Sequence, residues 1–309
     1  DGSTGSSPLS AEASAQPIPG ATTLTVGTST DTTVTVNWNT VSGANTYRLY
    51  SSTTSGVTTI DNQTVVAGNS YTVSGLTSGD TLYFRMISEN TVGQSGLSNE
   101  VSATAVPTQP GSLVASPTSN GGAIMTQWTA SAGHDGYRLL YRIGSHDLSG
   151  ILANPTPTTL AATDTSKKVL GIGIDNLASF VLVAYNSGGD STYSNVVEEQ
   201  PVPRTVKLKA ADVSRPGKVT LTWEETNGVN STRIYRMTGS SGNPETAGTL
   251  IATLGGSVKT YTDSGFPTYS GTTYRYAVVP EGGGGVGVID RENAIPVEPA
   301  WETIVYDGI

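Results

Sequence analysis

The chain alternates apolar and polar residues in short runs, and three of these runs end on tryptophan. They are Val34, Val36, Trp38; Ile124, Thr126, Trp128; and Val219, Leu221, Trp223. Side chains alternate faces along a strand, so each trio shares one side of a predicted strand. Nine residues after each tryptophan stands Tyr47, Tyr137 or Thr232, followed at once by Arg48, Arg138 or Arg233. The next runs read YRLY, YRLLYR and TRIYR, and the first connection, NTVSGANT, is polar and turn-forming. Two such strands with opposed inner faces make the middle of a sandwich, with the indole as its largest apolar block. Trp38, Trp128 and Trp223, with Tyr47 and Tyr137, are therefore expected in the core.

The same order of landmarks recurs three times. Near the end of each copy come SNEV (98–101), SNVV (194–197) and ENAI (292–295), which aligns Asn99, Asn195 and Asn293. In the first copy, GLTSGDTLYFRMISENTVGQSGLSNEVSATAV (75–106) leads from GDT into a strand with Leu82, Phe84 and Met86 inward and Arg85 outward. The second repeats this in FVLVAYNSGGDSTYSNVV (180–197), and the third in YTDSGFPTYSGTTYRYAVV (261–279). On these motifs the chain resembles the fibronectin type III family over roughly residues 21–298. The resemblance implies an all-β protein of three tandem immunoglobulin-like (fibronectin type III-like) β-sandwiches, with GTTY supplying a tyrosine corner at Tyr274. Leu82 and Ala178 hold that position in the other copies, so the second and third modules read as more divergent. The second also has a long stretch, 145–168, before its next clear strand.

The implied organisation is an N-terminal extension (1–20), sandwiches at 21–106, 107–202 and 203–298, and a C-terminal surplus strand (299–309). The boundary segments AVPTQPGS (105–112) and EQPVPRT (199–205) are short and carry two prolines each, which predicts stiff hinges and an extended rod.

Composition agrees with many short strands. The chain has 37 Gly, 36% hydrophobic residues and 13% charged residues in 309. No stretch is long and apolar enough for a membrane span. A net charge of −9 leaves no basic stripe for phosphates, so no nucleic-acid partner is expected. Cysteine is absent, which excludes disulfides and thiolate chemistry from this chain. An Asp rather than a Met at position 1 fits removal of an upstream segment such as a secretion signal.

The two ends stand outside the repeat. Residues 1–20 have a linker-like composition and are expected to lie along their own first domain or against a neighbouring copy. WETIVYDGI (301–309) still alternates, with Trp301, Thr303 and Val305 on one face and Ile304 and Tyr306 on the other. A strand apolar on both faces should add to a sheet edge, either of its own domain or of the next molecule.

Little else in the sequence reads as chemistry. Ser145, His146 and Asp147 are the residue types of a hydrolase triad, but consecutive residues in an extended segment cannot line up nucleophile, base and orienter. His134-Asp135 and His146-Asp147 flank one strand, roughly 25 Å apart at ~3.3 Å per residue, too far to share a metal ion. EGGGGVG (281–287) joins two strands with no helix after it, so it reads as a hairpin loop and not a phosphate cradle. No Arg-Gly-Asp occurs in NTVGQSGLS (90–98), and the acidic pairs lack calcium-loop spacing. Asn62 in NQT and Asn230 in NST have the form of glycosylation acceptors.

No enzyme, cofactor or metal is expected. The chain reads as a secreted or cell-surface structural protein whose partners are other copies of itself, assembled through its termini into a filament, sheath or surface layer. The alternative is a set of carbohydrate-binding or spacer modules on cell-surface polysaccharide, with Tyr50, Tyr141 and Tyr235 as candidate stacking residues.

Overall fold

The computed structural model describes residues 16–118, 121–203, 207–212, 217–224, 228–266, 271–287 and 289–294. Trp301, Thr303, Ile304, Val305 and Tyr306, and most of the N-terminal extension, lie outside the described residues. The chain divides into two compact units. One holds residues 1–109 with 131–136 and 184–192; the other holds 110–130, 137–183 and 193–309.

The first sandwich is built from β1 (Leu24–Ser29), β2 (Thr33–Trp38), β3 (Thr46–Ser52), β4 (Asn62–Val66), β5 (Ser70–Ser74), β6 (Thr81–Glu89) and β7 (Val101–Thr104). Its sheets run β1-β2-β5 and β4-β3-β6-β7, with every pairing antiparallel. The second uses β8 (Val114–Pro117), β9 (Ala123–Gln127), β10 (Gly136–Ile143), α1 (Leu148–Ala153), β11 (Thr156–Ala161), β12 (Ser166–Leu170), β13 (Ala178–Asn186), β14 (Gly189–Asp190) and β15 (Val197–Glu199). The third uses β16 (Lys207–Asp212), β17 (Val219–Glu224), β18 (Ser231–Thr238), α2 (Pro244–Ala247), β19 (Thr249–Gly255), β20 (Thr260–Asp263), β21 (Tyr274–Gly282), β22 (Gly285–Val286) and β23 (Asp290–Ala294). Their sheets, β8-β9-β12 with β11-β10-β13-β14/β15, and β16-β17-β20 with β19-β18-β21-β22/β23, repeat the first plan. The divergence of the later copies is one of sequence, since strand order is common to all three. The stretch 145–168 holds α1 and β11.

Each core forms as the alternation predicts. Val34, Val36 and Trp38 are 0, 0 and 4% exposed; Ile124, Thr126 and Trp128 are 0, 0 and 6%; Val219, Leu221 and Trp223 are 0, 0 and 2%. Trp38 packs on Tyr47 at 5.7 Å between ring centroids, and Trp128 on Tyr137 at 5.6 Å. In the third sandwich the smaller Thr232 takes the tyrosine's place. The volume is made up from the facing strand, where Tyr274 and Tyr276 stand where the first copy has Leu82 and Phe84. None of the three indole N–H groups meets an acceptor among the described residues. An unmade bond costs about 1–3 kcal/mol. Burying the 150–250 Å² of an aromatic side chain returns about 4–6 kcal/mol at ~25 cal/mol per Å², so burial wins.

Asparagine fastens the outer strand of one sheet to the other. Asn99 accepts from Leu24 N (2.8 Å) and donates to Leu24 O (3.0 Å). Asn195 does the same to Leu113, at 2.9 Å in both directions. Just before each asparagine a serine substitutes for a missing ladder group: Met86 N donates to Ser98 Oγ, and Leu182 N to Ser194 Oγ, both at 2.9 Å.

The alignment of Asn293 with these two residues is corrected by the strand register. Phe84 pairs with Val101 and Phe180 with Val197, whereas Tyr276 pairs with Glu292, so the residue two positions earlier is Asp290. Asp290 accepts from Leu208 N at 2.9 Å. A carboxylate has no proton to return to the Leu208 carbonyl, so the third clamp is one-sided.

Replacing Asn195 with Ala is expected to lower stability by about 1–2 kcal/mol through the stranded Leu113 amide and carbonyl. Asn195→Asp keeps the acceptor and loses the donor, so it should fail to restore the wild-type value. Urea denaturation followed by tryptophan fluorescence measures both.

Candidate functional sites

The loop after β10 holds the Ser-His-Asp triplet, and the structure separates its members. Ser145 Oγ donates to Glu198 Oε1 (2.7 Å), as does the His146 backbone N–H (3.1 Å). The His146 ring instead places Nε2 2.9 Å from the Ile143 carbonyl. Asp147 caps α1, with Oδ1 accepting from Gly150 N (2.7 Å) and Ser149 Oγ (3.0 Å). No proton relay from Ser145 through His146 to Asp147 exists in this arrangement. Its carboxylates are held ionised: bonds from Ser145 and then Ser179 hold Glu198 below the usual range, and the Gly150 amide does the same for Asp147. Among the described residues, no group of three His, Asp or Glu side chains stands close enough to hold an ion.

Among the described residues, the most deeply buried charge lies in the third sandwich. Asp263, 3% exposed, accepts from Arg236 (2.7 Å) and from the Tyr276 hydroxyl (2.9 Å) on Oδ2, and from Gly265 N (3.0 Å) on Oδ1. The Arg236 guanidinium also lies over the rings of Phe266 and Tyr274, at 5.5 and 5.4 Å. Both carboxylate oxygens are therefore satisfied, which is what a buried charge requires. The group ties the end of β20 to β18 and β21. Sequence spacing did not point to it, because its members come from three strands. Tyr274 is 2% exposed within the same aromatic group.

The other candidate residues separate by exposure. Asn62 is exposed on the edge strand β4, opposite Ser51. Asn230 is also exposed, but Thr232 of its triplet is 1% exposed. Tyr50 is 3% exposed, packed with Val57 and Ile87, while Tyr141 and Tyr235 are half-buried. Burial removes the Tyr50 ring from any exposed stacking row.

Asn90 and Asn186 form a pair that the sequence did not single out. Asn186 is the last residue of β13 and Asn90 directly follows β6, and each donates to two carbonyls at once. Asn186 reaches Ala105 (2.8 Å) and Gly133 (2.9 Å); Asn90 reaches Pro17 (2.8 Å) and Gly43 (3.2 Å). Residues 17 and 18 thus lie on their own first sandwich.

Each of the three repeats is thus a two-sheet antiparallel β-sandwich, and the three share one strand order. No protein-family model and no curated protein matches the chain. Among solved structures it is similar to the chicken CNTN1 FN1-FN3 domains, at 17% identity and a TM-score of 0.32, over 91% of this chain and 100% of that one. It is also similar to a two-domain fibronectin type III segment of chicken tenascin, at 18% identity and a TM-score of 0.39, over 60% and 99%. No described helix is long and apolar enough to cross a membrane.

Burial raises the Tyr276 pKa above the ordinary tyrosine value, with the Asp263 charge adding to it. A raised pKa means stability that is complete below pH ~10, where tyrosine in the unfolded chain titrates, and lost as pH climbs beyond it. Tyr276→Phe should cost about 1–3 kcal/mol at neutral pH, because Asp263 loses a donor. It should also flatten the fall in stability between pH 9 and 11.5. Urea midpoints across that range measure both effects.

Proposed function

We propose that this chain is a non-catalytic, extracellular structural or adhesive protein, and that it is the repeating subunit of a self-assembling filament, sheath or surface layer. Its termini make contacts between subunits. The observation that carries this reading is a surplus. The strand plan of the third sandwich is complete with β23 at Ala294, matching the first and second copies. Beyond it the sequence still supplies Trp301, Thr303, Ile304, Val305 and Tyr306, apolar on both faces. Such a segment lies beyond the strand order common to the three copies, and an open sheet edge of a second copy would offer it backbone partners. The first sandwich carries one such edge in β4, where Val65 is 57% exposed and the preceding Ile60 is 93% exposed.

A polysaccharide-binding reading needs aromatic rings in an exposed row, and the burial of Tyr50 weighs against it.

Electron microscopy and sedimentation of the purified full chain test the proposal, alongside a chain lacking 301–309 whose fold is checked by circular dichroism. Polymers are expected from the full chain and monomers from the shortened one. A full chain that stays monomeric at every concentration overturns the reading. Polymers unaltered by the deletion remove this strand from the contact.

A further inference from the structure

Two successive sandwiches meet by the same device twice. Gly133 stands five residues after Trp128, with φ of +67°. A Cβ there would overlap the Ser78 carbonyl and come within 2.6 Å of Gly79 N. Gly228 stands five residues after Trp223, with φ of +81°, and a Cβ there would come within 2.6 Å of Ile174 and 2.9 Å of Asp175. The strand register makes Gly79 and Asp175 counterparts, each three residues before the corner position. Beside each glycine runs a linker with valine before proline. Val106 packs toward Gly189 (3.6 Å to the Cβ position) and Val202 toward Gly285 (4.0 Å). Both valines are covered, at 9 and 6% exposure.

The first sandwich carries the receiving half of this joint with nothing in it among the described residues. Gly43 stands five residues after Trp38, with φ of +80°, and has nothing within 4 Å of its Cβ position. Asn90 grips Pro17 and Gly43 as Asn186 grips Ala105 and Gly133. Ile18 lies before a proline against Gly93, as Val106 lies against Gly189. Positive φ alone accounts for glycine at 43. It does not account for an apolar pair left open beside it: Ile18 is 55% exposed and Val92 56%. Among the described residues the donating half is also unfilled, in the third sandwich. Gly271, three residues before Tyr274, holds the place of Gly79 and Asp175. Its φ is +65°, and nothing lies within 4 Å of its Cβ position.

We infer that the face formed by Ile18, Gly43 and Val92 receives the Gly271 loop of a second copy of this chain, making between molecules the joint that is made twice within one. The inference rests on the self-assembly reading and adds to it a second contact, separate from the one made by the 301–309 segment. A contact between unlike faces of identical chains leaves one receiving half free at one end of the pair and one donating half free at the other, so it propagates head to tail. Burial of Ile18 and Val92 supplies its apolar drive, as burial of Val106 and Val202 does in the two internal joints.

The chain has no cysteine, so introduced thiols report this contact alone. The probe is a short bismaleimide applied to Ser42→Cys and Thr272→Cys chains. These sites adjoin the two glycines and avoid their positive φ. Mixing the two single variants should give crosslinked dimers, neither variant alone should give any, and the double variant should give a ladder. Adding Ile18→Asp, at an already exposed position, should cut the crosslinked yield at least tenfold without altering the circular dichroism. Dimers from a single variant, or no crosslink in the mixture while the full chain still polymerises, would overturn the inference and leave the subunit reading standing. A full chain that never polymerises would remove that reading first. An unchanged yield with Ile18→Asp would place the joint elsewhere.

Discussion

The structure depends on one packing event repeated three times: a tryptophan at the end of the second strand of each sandwich, turned inward against the facing sheet. A two-layer sandwich of small strands has few ways to fill the ~10 Å between its sheets. Trp38, Trp128 and Trp223 fill it from one side, and Tyr47, Tyr137 and the Tyr274–Tyr276 pair complete it from the other. Each indole gives up a hydrogen bond to do so, which shows how far burial outweighs polarity at these points.

The tryptophan also sets the distance to the turn that follows. Five residues beyond it the chain reverses through a glycine with positive φ, and at Gly133 and Gly228 the absent side chain lets another sandwich's loop rest on the backbone. Core packing and the joint between sandwiches are thereby linked through a single short loop. Asn186 closes the joint by donating to both the linker and the turn. Carboxylates at the surface of the second sandwich, Glu198 and Asp147, are bound by serines and amides, which holds them ionised.

Much of this was legible in the sequence because a period of two and a bulky aromatic leave a strong mark. The faces of β2, β9 and β17 follow directly from alternation. The misplacement of Asn293 has a physical origin. In the first two copies a serine interrupts the ladder just before the asparagine, whereas the third runs regularly from Val278–Asp290 to Tyr276–Glu292, and the resemblance of ENAI to SNEV conceals the shift. Tyr50 was offered as an exposed ring because its strand alternates, and the loop carrying Val57 folds over it. The Arg236–Asp263–Tyr276 group and the paired roles of Asn90 and Asn186 were hidden for a different reason. They join residues distant in sequence, and no local period records such contacts.

The central claim is that each indole holds its own sandwich together. Amide hydrogen exchange on the full chain with Trp128→Ala tests it most directly, since truncating a buried tryptophan costs about 3–5 kcal/mol and a domain has only about 5–15 to lose. The account predicts that protection collapses through β9, β10 and β13 while β2, β3 and β6, and β17, β18 and β21, keep theirs. Protection retained in β9 and β10, or lost equally from all three sandwiches, would contradict it.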